Sequence, residues 1–252
     1  MLPPLTIITL AVLPFIYIVG TTANLSNLSK LLIIHPFILE NMADNKVNEI
    51  IALLKNEYPE VKIALQFSDP LELLIATILS AQCTDKQVNE VTKKLFKKYR
   101  TPQDYIKVPQ EELEKDIYST GFYRNKAKNI KALSKILVND FDSKVPDTME
   151  DLLKLPGVAR KTANIVLSGA FGKIEGIAVD THVKRVAGRL GLTANTDPVK
   201  IERDLMKIIP RNDWDIITLL LIHHGRKVCI ARKPLCGNCV LNKLCPSAFK
   251  LG

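Results

Sequence analysis

The sequence contains little of what predicts a sheet protein. Aromatic residues make up only 6% of the 252 residues, and strict alternation of apolar and polar residues is scarce. Residues 71–79 and 201–209 instead place apolar side chains three and four positions apart, the period of an α-helix. Low-complexity stretches and obvious linkers are also missing, and 47% of the residues are hydrophobic, enough for a sizeable core. We therefore predict an almost entirely helical globular protein.

Cysteine is scarce as well, with five residues in the chain, and this excludes a secreted disulfide framework. Cys83 stands alone, whereas Cys229, Cys236, Cys239 and Cys245 are separated by six, two and five residues. Four thiolates at such spacing can hold one tetrahedral zinc ion or a cubane of four irons and four sulfurs. Zinc sites more often pair two Cys-x-x-Cys units, and only Cys236 and Cys239 form one here. A reducing cytosol is the compartment that this usage favours.

Acidic residues are outnumbered, 26 against 35 Lys and Arg, so the formal net charge is +9. Residues 1–41 contain only Lys30 and Glu40, and the excess therefore lies in residues 42–252. Such an excess attracts polyanions such as nucleic acids. A positive excess can also serve solubility alone, so it indicates nucleic-acid binding only when a binding motif accompanies it.

The first 41 residues lack what a membrane helix or a signal peptide needs. Residues 5–19 are uncharged and mostly apolar, but Pro14 interrupts them, and a membrane helix needs about twenty such residues. No Lys or Arg precedes the run, as one does in a signal peptide. After Met42, residues 47–58 have the pattern of an amphipathic helix. We expect that translation begins at Met42 and that residues 1–41 lie outside the fold; a membrane anchor or a cleaved leader are the alternatives.

Residues 149–170 predict two helices joined by a tight turn. The first helix closes with Leu152, Leu153 and Leu155, the turn at residues 156–159 reads Pro-Gly-Val-Ala, and the second helix begins at Arg160. The amino end of a helix presents unpaired backbone amides and the positive end of its dipole, and both attract anions. A DNA phosphate would suit this turn, although a simple helix-to-helix connection is the alternative.

Three motifs together resemble the endonuclease III family of DNA glycosylases. Residues 155–163, Leu-Pro-Gly-Val-Ala-Arg-Lys-Thr-Ala, resemble its helix-hairpin-helix, residues 179–183, Val-Asp-Thr-His-Val, resemble its catalytic aspartate segment, and the cysteine spacing resembles its iron–sulfur loop. The resemblance extends over residues 47–247 and includes residues 79–82 and 121–123. One departure is Ala159, where the family usually has glycine. If that position requires a positive φ, the methyl group adds strain.

The resemblance implies that Lys161 and Asp180 are the catalytic pair. A lysine can attack the sugar carbon that holds the damaged base and form a Schiff base, provided that its amine is neutral, and we expect the neighbouring Arg160 and the helix end to favour that form. The aspartate would stabilise the cationic sugar. The alternatives are a phosphate-binding lysine and an ordinary helix cap.

The resemblance also implies how DNA is bound. Gln82 would fill the space of the extruded nucleotide, and Phe122 would wedge from the other side; a polar residue at a helix end and a core aromatic are the alternatives. Further DNA contacts are expected from Leu155, Gly157, Ala159, Arg160 and His182, and from Arg232 and Lys233 in the cysteine loop. Cys229, Cys236, Cys239 and Cys245 would hold a [4Fe–4S] cluster with a structural role.

These expectations give an all-α helix-hairpin-helix DNA glycosylase fold with two helical domains and a C-terminal iron–sulfur loop. Residues 62–174 would form a helical barrel, and residues 42–61 with 175–252 the second domain. The implied activity is removal of oxidised or ring-saturated pyrimidines from double-stranded DNA, followed by lyase cleavage of the abasic site, by a cytoplasmic, nucleoid-associated monomer that needs no membrane. A monofunctional adenine or thymine mismatch glycosylase and a non-catalytic iron–sulfur DNA-binding module are the alternatives.

Overall fold

The computed structural model describes residues 45–250, and within this range the regular structure consists of helices joined by short connections, without a β-strand. The helices are α1 (45–57), α2 (Pro70–Leu79), α3 (Asp85–Lys98), α4 (Pro102–Lys107), α5 (Gln110–Asp116), α6 (Tyr123–Asp140), α7 (Met149–Leu153), α8 (Arg160–Phe171), α9 (Thr181–Leu190), α10 (Pro198–Ile208) and α11 (Trp214–Lys227). Short 3-10 turns occupy Tyr118–Thr120, Arg211–Asp213 and Cys236–Asn238. The prediction of an all-α protein is confirmed.

Side-chain caps explain where several helices begin. The Asp69 carboxylate accepts a hydrogen bond from the Glu72 amide at 2.9 Å, and Pro70 occupies the first turn of α2. Thr101 caps α4 in a reciprocal capping box with Asp104. At its other end α8 stops at Gly172, whose φ of 63° lies in the left-handed region. Local sequence signals therefore set these boundaries.

The buried side chains form two clusters. One is built by α2 to α8, where α2 packs on α8 and α4 on α6. The other joins α1 to α9, α10 and α11. The described residues nevertheless belong to a single compact unit. The two-domain boundaries therefore stay a prediction.

The prediction for residues 1–41 falls on residues outside the described range. Among residues 45–250, no helix is both long enough and apolar enough to cross a membrane.

Candidate active site and cysteine loop

The predicted hairpin is present, with α7 ending at Leu153 and α8 beginning at Arg160. The side chain of Leu155 is buried in the first core cluster, so only its backbone can face a ligand. Its carbonyl accepts a hydrogen bond from the Val158 amide at 3.1 Å, which closes the turn. No side chain caps the amino end of α8, whereas Asp180 and Asp197 cap α9 and α10. The first amides of α8 are therefore available to an anion.

The departure at Ala159 causes no strain. Its φ of −100° and ψ of 170° lie in the extended region, which any residue adopts. The demanding position is Gly157, where φ is +82° and an added Cβ would lie 2.8 Å from Nδ2 of Asn129. Glycine is therefore needed at residue 157 both for its backbone conformation and for the close approach of α6.

Arg160 points its guanidinium into the protein. Its Nε and one terminal nitrogen donate to the two carboxylate oxygens of Glu202, at 2.7 and 2.9 Å, and Asn164 Nδ2 donates to the same carboxylate at 2.8 Å. Glu202 is only 3% exposed, and it lies over Gly176, where an added Cβ would be 2.2 Å from its Oε1. This buried ion pair joins the start of α8 to α10 and neutralises much of the charge of Arg160 beside Lys161.

Lys161 lies in the first turn of α8 and is half-buried. Within residues 45–250 it forms no ion pair, since no carboxylate oxygen comes within 4.0 Å of its Nζ. No hydrogen bond or ion pair joins it to Asp180 in this range. Its amine is therefore not committed to a partner and can reach a ligand at the hairpin.

Asp180 caps α9 with a single oxygen. Its Oδ1 accepts hydrogen bonds from the amides of His182 and Val183, both at 2.8 Å, which leaves Oδ2 without a protein partner among the described residues. The cap therefore fixes the carboxylate and leaves one oxygen for other chemistry. The capping and the catalytic interpretations are compatible.

The surroundings of His182 disfavour its protonated form. Burial lowers the pKa of its imidazole, and the charges of Arg185 and Arg226 act in the same direction, against the opposite influence of Asp180. Arg185 donates to Nδ1 of His182 at 3.1 Å, and because arginine can only donate, the ring proton must reside on Nε2. His182 can therefore offer one neutral N–H donor, not a positive charge.

Gln82 and Phe122 lie on two exposed connections and share an unusual backbone. Their φ values are 53° and 48°, in the left-handed region that side-chain-bearing residues seldom adopt. Phe122 is 62% exposed, which excludes the alternative of a core aromatic. Strained conformations of this kind concentrate where a protein holds a side chain out for a ligand.

The four clustered cysteines line one pocket, together with Val186, Leu190 and other apolar side chains. All four are half-buried, and none forms a disulfide among the described residues. Among residues 45–250, no three Cys, His, Asp or Glu side chains converge closely enough to bind a single metal ion, as a zinc site with ligands at about 2.3 Å would require. Four sulfurs spread around an apolar cavity suit a larger inorganic cluster, and the residues therefore fit the iron–sulfur prediction.

Arg189 fastens the cysteine loop to α9. Its guanidinium donates to the carbonyls of Ile230 and Ala231, both at 2.7 Å, and to the sulfur of Cys229 at 3.3 Å. Arg232 and Lys233 follow directly, are exposed, and form no ion pair with any described residue. The loop thus presents two positive charges to solvent.

Comparison with known proteins identifies the family. Residues 75–211 match the family described as HhH-GPD superfamily base excision DNA repair protein, and residues 229–245 match the iron-sulfur binding domain of endonuclease III. Endonuclease III of Synechocystis is 54% identical over 213 residues, which are 84% of this chain and 97% of that protein. The chain belongs to the endonuclease III family. Endonuclease III of Bacillus subtilis is 51% identical over 77% of the chain and 88% of its own length.

A solved relative agrees in fold. The structure of a trapped endonuclease III–DNA covalent intermediate is 48% identical, covers 82% of this chain and 97% of that one, and superposes with a TM-score of 0.79. Family membership makes the protein a base-excision repair enzyme, a DNA glycosylase with abasic-site lyase activity, and its cysteine loop a [4Fe–4S] site, as predicted. The alternative of a non-catalytic module is wrong.

Sequence reasoning missed Glu202. It lies in α10 beside the apolar residues Ile201 and Leu205, and no motif surrounds it. A carboxylate next to an apolar stripe was the available signal, but its partner Arg160 is 42 residues away. Only the tertiary structure pairs the two.

Proposed function

We propose that this enzyme excises oxidised or ring-saturated pyrimidines from double-stranded DNA and cleaves the strand at the abasic site, with Lys161 as nucleophile and Asp180 as its carboxylate partner. The observation that carries the proposal is the position of Lys161. Its primary amine lies in the first turn of α8, behind an uncapped hairpin and without an ion pair in the described range. A relative solved as a covalent intermediate with DNA supports the same course of reaction here.

The chemistry requires an amine. Deprotonated Lys161 Nζ bonds to C1′ of the extruded nucleotide while the bond from C1′ to the base breaks, and the proton that the attacking amine then loses passes to the departing base. Opening of the sugar ring then gives a Schiff base, which acidifies C2′. Loss of a C2′ proton breaks the bond between C3′ and its oxygen and releases the 3′ phosphate. Water hydrolyses the Schiff base and restores the lysine. A hydroxyl nucleophile could not form the iminium that the elimination needs.

Asp180 supports this sequence through its uncommitted Oδ2. Two amide hydrogen bonds hold Oδ1, so the carboxylate keeps one orientation. The free oxygen can stabilise the positive charge on the sugar as the base departs, and it can accept protons from Lys161. The same hydrogen bonds that cap α9 thus hold the catalytic carboxylate in a fixed orientation.

DNA is held by the backbone and by exposed side chains. The unpaired amides between Gly157 and Arg160 bind one DNA phosphate, and Arg232 and Lys233 contact the DNA backbone further along the duplex. Gln82 and Phe122 enter the duplex, one filling the space of the extruded nucleotide and the other wedging beside it. The enzyme acts as a monomer, because extrusion of a nucleotide needs no partner subunit.

The iron–sulfur cluster serves the fold of the loop. Cys229, Cys236, Cys239 and Cys245 would hold the cluster, which would then crosslink residues 229–245. Arg189 holds the loop against α9 through its hydrogen bonds to the loop backbone. These contacts keep the following basic residues on the DNA side of the loop.

Borohydride trapping tests the proposal. Reduction during turnover on a duplex with one abasic site converts the Schiff base into a stable protein–DNA adduct. Lys161→Ala should abolish the adduct and base release while keeping most of the salt-sensitive binding, which arises from many phosphate contacts. Lys184→Ala, which removes an exposed lysine of α9, is the matched control and should trap like wild type. Base release by the wild-type enzyme without any adduct would favour a monofunctional glycosylase and overturn the proposal.

A further inference from the structure

A buried lysine lies between the two connections that carry Gln82 and Phe122. Lys126, in the first turns of α6, is only 5% exposed. Its Nζ donates to the carbonyl of Leu79 at 2.8 Å and to the carbonyl of Thr120 at 2.9 Å. A lysine is seldom buried without a carboxylate, and here two backbone carbonyls take that place.

The two carbonyl groups that Lys126 binds lie shortly before the exposed residues Gln82 and Phe122 in the chain. Leu79 is the final residue of α2, three positions before Gln82, and Thr120 ends a 3-10 turn, two positions before Phe122. Helix carbonyls at a carboxyl end lack partners within the helix and carry the negative end of the dipole, so they favour an ammonium group. One amine therefore fixes the separation between the two connections.

Two other side-chain contacts near these connections lie further from the exposed tips. Gln87 Nε2 donates to Ser119 Oγ at 2.9 Å, and Arg226 pairs with Asp85 at 2.7 Å. Both contacts are at the protein surface, where such bonds contribute little rigidity. Lys126 is the buried link, and burial lowers its amine pKa without removing either bond. A buried, doubly bonded donor holds its acceptors more rigidly than surface pairs can.

We infer that Lys126 is a positioning residue for nucleotide extrusion: it sets the spacing at which Gln82 and Phe122 enter the DNA. This inference rests on the roles proposed above for those two residues. Its consequence is selective. Loss of the amine should impair steps in which a stacked nucleotide must be displaced, while the chemistry at Lys161 should continue on DNA that needs no displacement.

The test compares Lys126→Met with wild type on two substrates. One is a duplex with a paired, stacked abasic site, and the other carries the abasic site in an unpaired loop. The borohydride trapping rate on the duplex should fall by about 10- to 100-fold, the effect that a misplacement of about 1 Å can produce. The rate on the loop should stay within about twofold of wild type, because no stacking has to be broken there. A purely structural role would lower both rates together and would overturn the inference.

Lys131→Met is the matched control. Lys131 lies on the same helix and also donates to backbone carbonyls, those of Tyr105, Ile106 and Val108, but these belong to the end of α4 and its connection. It should leave the ratio of duplex to loop rates unchanged. If Lys126→Met does not fold, Lys126→Gln, which keeps a shorter donor, replaces it and should show the same selectivity to a smaller degree.

Gln82→Ala and Phe122→Ala distinguish a failure of the roles proposed for these two residues from a failure of the positioning role of Lys126. If neither lowers the duplex rate, the roles proposed for these residues fail. If both lower it while Lys126→Met spares it, only the positioning inference fails. Lys126→Met can also be added to a variant that carries both Gln82→Ala and Phe122→Ala. If it does not lower the duplex rate of that variant further, the three residues act as one unit, as the inference requires.

Discussion

Replacement of Glu202 by glutamine tests whether the buried ion pair anchors the start of α8. The carboxylate accepts three hydrogen bonds, two from Arg160 and one from Asn164, at 2.7, 2.9 and 2.8 Å. Glu202→Gln keeps the shape of the side chain but removes its charge. It also turns one acceptor into a donor, which then faces donors of Arg160 or Asn164.

The structure sets the expected magnitude. Removal of one partner of a fully buried ion pair costs about 3–5 kcal/mol. The Arg160 side chain is 37% exposed, so water can solvate the released guanidinium and reduce that cost. We expect the free energy of unfolding to fall by about 2 kcal/mol, which corresponds to a decrease in Tm of about 4–8 °C for a protein of this size.

Urea unfolding followed by circular dichroism measures this loss, and the trapping rate measures the displacement of Lys161. Glu175→Gln is the control, because Glu175 is exposed and influences Arg160 only through its charge. It should stay within about 0.5 kcal/mol of wild type. A Glu202→Gln protein as stable as wild type would refute the view that this pair anchors the hairpin.

Three further predictions concern the site. Asp180→Asn should keep the α9 cap, because asparagine caps as well as aspartate, so stability should change by less than about 1 kcal/mol while the trapping rate falls by about 10²–10⁴-fold; loss of stability with activity retained would make Asp180 a structural cap only. Gly157→Ala should weaken duplex binding in a fluorescence anisotropy titration, because φ is +82° and the methyl group would press against Asn129, and unchanged affinity would exclude this turn as a phosphate site. Joint replacement of Arg232 and Lys233 by alanine should reduce the slope of log affinity against log salt by about 1.8, and an unchanged slope would remove the loop from the interface.

Helix ends and turns could be predicted from the sequence wherever the residues that determine them lie within a few positions of each other. Asp69 before Pro70 predicts the start of α2, and the Leu-Pro-Gly turn predicts where α7 and α8 meet, because caps and turn residues act within a few positions. The family resemblance added roles for Lys161 and Asp180. That step used similarity to relatives, since an aspartate cap alone carries no catalytic meaning.

Sequence reasoning could not find contacts between distant residues. Lys126 and Leu79 are 47 positions apart, and Arg160 and Glu202 are 42 apart, so neither pair leaves a local pattern. Arg160 was expected to face phosphate and to favour a neutral Lys161. Its guanidinium instead binds a buried carboxylate, a partner that only the packing of α8 against α10 provides.

The strain expected at Ala159 depended on a backbone angle that the sequence does not state. The observed φ of −100° removes that strain, while the left-handed φ belongs to Gly157 two residues earlier. The composition of the turn indicated that one of its residues adopts a positive φ, but it did not indicate which residue. At Gly157 the approach of Asn129 from α6 also leaves no room for a Cβ.

The most direct test of the account is peptide mapping of the borohydride-trapped protein–DNA adduct by mass spectrometry. A single reduced sugar remnant is expected, on the Nζ of Lys161. A remnant on another lysine or on the amino terminus, with residue 161 unmodified, would contradict it.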